Sequence, residues 1–143
     1  MRNVKEVWQS WLTIWAVLVT LFGLVLAGGA FAATDGMTTA LFSLFGNPLP
    51  ADIDHHHRFA IGLMGAVTMG WGLTYLCAFK ALFLLEPAQA APIWRWLLGA
   101  SLVWYVIDSG ISVATGFWLN AVSNTVLIIL LLIPLVKSGA LRG

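Results

Sequence analysis

Apolar residues fill this chain in four long runs, at 11–33, 59–79, 93–115 and 117–136, and polar residues collect in the short stretches between them. About 20 helical residues cross a ~30 Å hydrocarbon core, so each run is long enough to span one. With their flanks, the runs predict helices at about 8–33, 56–84, 93–115 and 117–136, and an outer loop over 34–55. The expected fold class is all-α: an integral membrane four-helix bundle with a short outer interfacial helix, one transmembrane domain over residues 1–143.

The connections punctuate that plan. Thr34-Asp35-Gly36 breaks the first helix. Residues 37–45 are too short to span, and Met37, Leu41, Leu44 and Phe45 fall near helical spacing, as in a helix lying at the interface. Asn47-Pro48-Leu49-Pro50 ends it, and Asp52 or Asp54 is the expected N-cap of the second span. Residues 86–92, with two prolines, read as a turn, and Trp94, Arg95 and Trp96 as the aromatic-basic anchor that opens the third span. The very short connection near Gly116 makes the third and fourth spans antiparallel neighbours. On the second span Gly62, Ala66 and Gly70 recur every four residues, with Gly65 and Gly72 beside them. Small residues at such spacing mark close helix packing in lipid, because they let backbones meet.

Charge orients the plan. Arg2, Lys5, Lys80, Arg95, Lys137 and Arg142 fall in the segments on one side, whereas the 34–58 segment carries only Arg58, with Asp35, Asp52 and Asp54. Lys and Arg concentrate on the cytoplasmic side, so both termini are expected in the cytoplasm of a bacterial cell, with the protein in the inner membrane. The first span resembles a signal peptide in its basic start and its Ala30-Phe31-Ala32, but its apolar stretch of 23 residues exceeds the about 7–15 of a signal core, so retention is expected.

Composition narrows the function classes. The chain is 60% hydrophobic and 9% charged, against about 25% charged in soluble proteins. Within these 143 residues nothing is left for a soluble catalytic domain. A net charge of +1, with basic residues scattered along one face, excludes a nucleic-acid partner. The one cysteine, Cys77, reads as a small apolar core residue. Of the tryptophans, Trp8, Trp11, Trp94, Trp96 and Trp118 fall at expected interfaces, and packing accounts for Trp15, Trp71 and Trp104. Phosphate loops, dinucleotide fingerprints, metalloprotease motifs and C-x-x-C are absent, and no cofactor is indicated.

Two polar groups need explanation. Asp108 lies inside the third span, about 18 Å along the helix from Trp96 at 1.5 Å per residue. A charged Asp at a helix centre costs about 2.5–3.5 kcal/mol on insertion scales, so it must find a partner or a proton. Arg58, and Asn120 and Asn124 at i, i+4 on the fourth span, are at the same expected level. The expected layer is an Arg58–Asp108 pair flanked by Asn120 and Asn124. Structurally it would fix helix register; functionally it would be a polar pocket for a headgroup, a quinone or a proton. The second group is His55-His56-His57 with Asp52 and Asp54. Imidazole and carboxylate suit zinc, copper, nickel or iron. Consecutive helical residues point about 100° apart, so the expected metal set is two histidines with an acid, His55, His57 and Asp54. The alternative is a solvated helix start.

The plan resembles the small bacterial four-helix membrane proteins grouped as DoxX-like. The likeness rests on length, four spans, and Arg58-x-x-x-Gly62 opening the second helix ahead of spaced glycines. It implies the four-helix bundle, and some members resemble accessory subunits of membrane redox complexes. Here there is no cysteine pair, and residues 104–109 form a Trp-Tyr-Val-Ile-Asp-Ser block of the chain's own. The glycine stripe on the second helix and the segment 37–45 favour the first reading, a non-enzymatic accessory or assembly subunit, packing in the lipid bilayer with other membrane chains or with itself. The second is a protein that binds or transports a small molecule at Arg58 and Asp108. The third is a membrane enzyme holding a metal at the histidines.

Overall fold

The computed structural model describes residues 6–142. These form five helices and no strand: α1 (Glu6–Gly28), α2 (Gly36–Leu44), α3 (His55–Leu82), α4 (Pro87–Ala114) and α5 (Trp118–Ser138). All but α2 are long and apolar enough to cross a membrane, which marks the chain as a membrane protein. Close contacts divide the described residues into two compact units, Ala16–Tyr75 and residues 6–15 with 76–142.

In the Ala16–Tyr75 unit, α1 and α3 run antiparallel at a separation that only small residues permit. A Cβ added to Gly65 would strike the backbone nitrogen of Ala27 and lie 2.7 Å from the Gly23 carbonyl. One on Gly72 would lie 2.7 Å from the Thr20 nitrogen, and one on Gly62 2.7 Å from the Ala30 Cβ. The seam on α3 is thus Gly62, Gly65 and Gly72, against Thr20, Gly23, Ala27 and Ala30 on α1. This corrects the expected stripe: Ala66 and Gly70 are exposed, and a Cβ on Gly70 would meet nothing within 4 Å. At 100° per residue, steps of four drift 40° each time around the helix, whereas Gly65 and Gly72 differ by only 20° and stay on the seam.

Helix α1 ends at Gly28, five residues short of the expected 33. Gly28 and Gly29 weaken the helix there, and side chains take over the last carbonyls. The Thr34 hydroxyl donates to Gly28 O at 2.6 Å, and the fully buried Thr38, on α2, donates to Val25 O at 2.6 Å. Helix α2 closes on Gly46, whose φ of 75° only glycine adopts readily. Its N–H returns to Ser43 O at 3.0 Å and that of Asn47 to Phe42 O at 3.1 Å, a Schellman motif.

In the second unit, α4 and α5 form an antiparallel hairpin turned at Gly116, φ 87°, with the same capping pattern: Gly116 N to Val113 O, 3.2 Å, and Phe117 N to Ser112 O, 2.7 Å. Helix α4 starts at Pro87, ahead of the expected 93. Proline is favoured at the first helical position, and Pro92, in the second turn, forfeits only one bond. Trp94, expected as an interfacial anchor, faces the protein interior. It is fully buried, with its ring centroid 5.4 Å from that of Phe79 and 6.2 Å from that of Phe83. Its Nε1 is the one buried side-chain polar atom without a hydrogen-bond partner among the described residues. Leu12, Leu82, Leu131 and Leu135 complete this core. Cys77 is exposed on α3, outside any core, contrary to expectation.

Candidate functional site

The Gly116 turn lays the first turns of α5 against the last turns of α4. Asn120 and Asn124, one turn apart on one face of α5, both reach Asp108. Its Oδ1 accepts from Asn120 Nδ2 at 2.9 Å and from Asn124 Nδ2 at 2.6 Å. Ser112, four residues on from Asp108, donates to its backbone carbonyl at 2.8 Å and accepts from Asn120 Nδ2 at 2.8 Å. Asn124 Nδ2 lies 3.4 Å from Ser109 Oγ, and Tyr105 shares a 3.0 Å hydrogen bond with Thr125 one turn deeper.

Ser112 and Asn124 are buried, and Asp108 is partly exposed. The converging donors stand on the Oδ1 side; Oδ2 receives no hydrogen bond from the described residues. Amide donors offset part of the cost of taking a carboxylate out of water, but only on the oxygen they reach. The second oxygen is presented on a helix of which only 11% of the spanning window is buried. Around Asp108, Tyr105 and Ser112 lie on the flank turned to α5. At 100° per residue Ile107 and Ile111 lie on the other flank, 58% and 60% exposed.

Arg58 belongs to a different set of contacts, which corrects the expected Arg58–Asp108 pair. Its Nη1 donates to Asp35 Oδ2 at 2.9 Å and lies 3.4 Å from the Gly29 carbonyl, tying the start of α3 to the α1–α2 connection. Both side chains are about four-fifths buried, at 21% and 23% exposure. Asp35 was missed as a partner because its position depends on the path of residues 29–35, which no periodicity encodes. Ser112 joins the Asp108 network through its i, i+4 spacing, which is legible in the sequence.

At the start of α3 Asp54 acts as the N-cap: its Oδ1 accepts the His56 and His57 backbone N–H at 2.8 and 3.1 Å. Its Oδ2 pairs with His57 Nδ1. The His57 ring first, then the His57 and His56 N–H groups, hold the Asp54 carboxyl down at about 2. Donor atoms of Asp54, His55 and His56 all lie within 4.8 Å of one another, and the His55 and His56 rings meet at a tilt of 39° with centroids 3.8 Å apart. The expected set of His55, His57 and Asp54 is therefore altered: His56 joins it, and the His57 ring is engaged with the Asp54 carboxylate. Consecutive histidines converge because their rings extend well beyond Cβ and lean together.

Comparison of the chain with protein-family models, with curated proteins and with solved structures finds no match.

Proposed function

We propose that this protein is a non-enzymatic accessory subunit of a bacterial inner-membrane complex, with both termini in the cytoplasm. It docks through the exposed flank of α4 onto a partner chain that carries a Lys or Arg in a membrane-spanning helix. The observation behind this reading is the open Oδ2 of Asp108 on the least covered span. Hydrocarbon offers a carboxylate nothing, so intramembrane acids face protein or water and pair with one another's complements. The flank beside Asp108 is apolar at Ile107 and Ile111, as a helix–helix contact requires. In a second copy the one cation expected at that level, Arg58, is already paired with Asp35, so the partner is a different chain. The Lys/Arg bias supports the orientation.

A photo-crosslinking residue at Ile111, in cells, identifies the neighbour. The expected product is one membrane chain with a basic residue inside a span, joined to the wild type and lost in Asp108→Lys. Substitution of that basic residue by Asp should restore the crosslink to Asp108→Lys. Crosslinks to lipid alone, or crosslinks indifferent to Asp108→Lys, would overturn the proposal. Bound lipid or quinone at that position would instead favour the small-molecule reading.

A further inference from the structure

We propose that Asp54, His55 and His56 form a binding site for a divalent transition-metal ion. The three side chains offer two imidazole nitrogens and a carboxylate oxygen, donor atoms that lie within 4.8 Å of one another. Ligands about 2.0–2.1 Å from zinc in a tetrahedron stand about 3.4 Å apart, so modest rotations close the set on one ion. All three residues are exposed, so the rotations take place at the surface, and the His55 and His56 rings already lie against each other. The mixed nitrogen and oxygen set suits copper, nickel and zinc, with copper bound tightest of the three.

The backbone prepares the site. The Asp54 Oδ1 is fixed by the two N–H groups of the first helical turn, which holds the carboxylate in one orientation beside the rings. The positive end of the α3 dipole opposes a cation here, and the carboxylate at the cap counters it. His57 acts from behind: its Nδ1 pairs with Asp54 Oδ2, so it orients the acid and is not itself one of the three donors. In the orientation proposed above the site faces the outside of the cell membrane, where metal arrives from the medium.

The test uses the full chain in detergent, without a polyhistidine tag, titrated separately with Cu²⁺, Ni²⁺ and Zn²⁺ by calorimetry. Helix content is checked by circular dichroism for each variant. One equivalent of Cu²⁺ per chain is expected, with saturable binding lost in His55→Ala/His56→Ala and weakened about tenfold in His57→Ala, as for a residue that orients a ligand. Absence of saturable binding by the wild type, or equal binding by the folded His55→Ala/His56→Ala variant, would overturn the site. Loss of binding in His57→Ala with retention in His56→Ala would overturn this assignment of the ligands.

Discussion

The indole Nε1–H of Trp11 donates to the Leu130 carbonyl at 2.8 Å, and Leu130 is the residue four before Pro134 inside α5. Proline has no N–H, so the helix cannot satisfy that carbonyl itself. In a membrane an unpaired backbone carbonyl has no water to turn to, and a neighbouring helix must serve it. Trp15, one turn on in α1, donates to Leu127 O at 3.0 Å, so two indoles follow the same stretch of α5. Trp11 was expected as an interfacial anchor; its N–H makes a structural bond to α5.

Trp11→Phe should therefore destabilise the protein by about 1–3 kcal/mol, the cost of a buried group left unpaired. Pro134→Ala restores the N–H at 134 and lets α5 close its own hydrogen bond. In the double variant the Trp11→Phe loss should shrink by about 1 kcal/mol or more. Thermal unfolding of the four proteins in one detergent measures that coupling, and strict additivity of the two losses would contradict the account.

The glycines separate by the same logic. Gly65→Ala drives a methyl into the Ala27 backbone, so a loss of about 1–3 kcal/mol is expected from overpacking. Gly70→Ala meets nothing, and alanine is about 1 kcal/mol better than glycine in a helix. The two substitutions should move the melting temperature in opposite directions, down for Gly65 and unchanged or up for Gly70.

What the residues disclosed in advance was what periodicity and depth encode. The four spans followed from runs of apolar residues, and Asp108 with Asn120 and Asn124 followed from a lone acid at the level of two asparagines one turn apart. Three things followed from neither. The seam at Gly65 and Gly72 needed the helix phase relative to α1, which the four-residue glycine pattern obscured. Trp94 turned inward because Phe79 and Phe83 pack against its ring, a tertiary contact that its place beside Arg95 and Trp96 does not disclose. Arg58 found Asp35 because α1 stops at Gly28 and side-chain hydroxyls end it, a tertiary outcome invisible to a hydropathy scan.

The Asp108 network divides into a structural half and an open half, and substitutions should report them separately. Interhelical hydrogen bonds in membranes average about 0.6 kcal/mol, so Asn124→Ala should cost about 1 kcal/mol in the unfolding of the isolated protein. Asp108→Asn keeps an oxygen for the asparagines and should leave that unfolding within about 1 kcal/mol of wild type. The same Asp108→Asn should nonetheless weaken the partner crosslink, because it removes the charge that Oδ2 presents. A large loss of intrinsic stability in Asp108→Asn would instead assign the carboxylate a purely architectural role.

Arg58 holds the α1–α2 connection from the start of α3, through Asp35 and the Gly29 carbonyl. Both side chains keep about a fifth of their surface in contact with solvent, so the pair is worth about 1 kcal/mol, at the upper end for ion pairs that keep some solvent contact. The effect of breaking it should be local. Arg58→Ala frees both the carboxylate and the carbonyl, and backbone amides over 29–38 should exchange faster with solvent, while those of α4 and α5 stay as they were. Asp35→Asn removes the charge but keeps an acceptor for Nη1, so exchange over the same segment should rise less. Arg58→Lys retains the charge without the planar fork and should fall between the two. If Arg58→Ala accelerated exchange uniformly along the chain, the clasp would be a determinant of the whole fold, and the local role assigned to it here would be wrong.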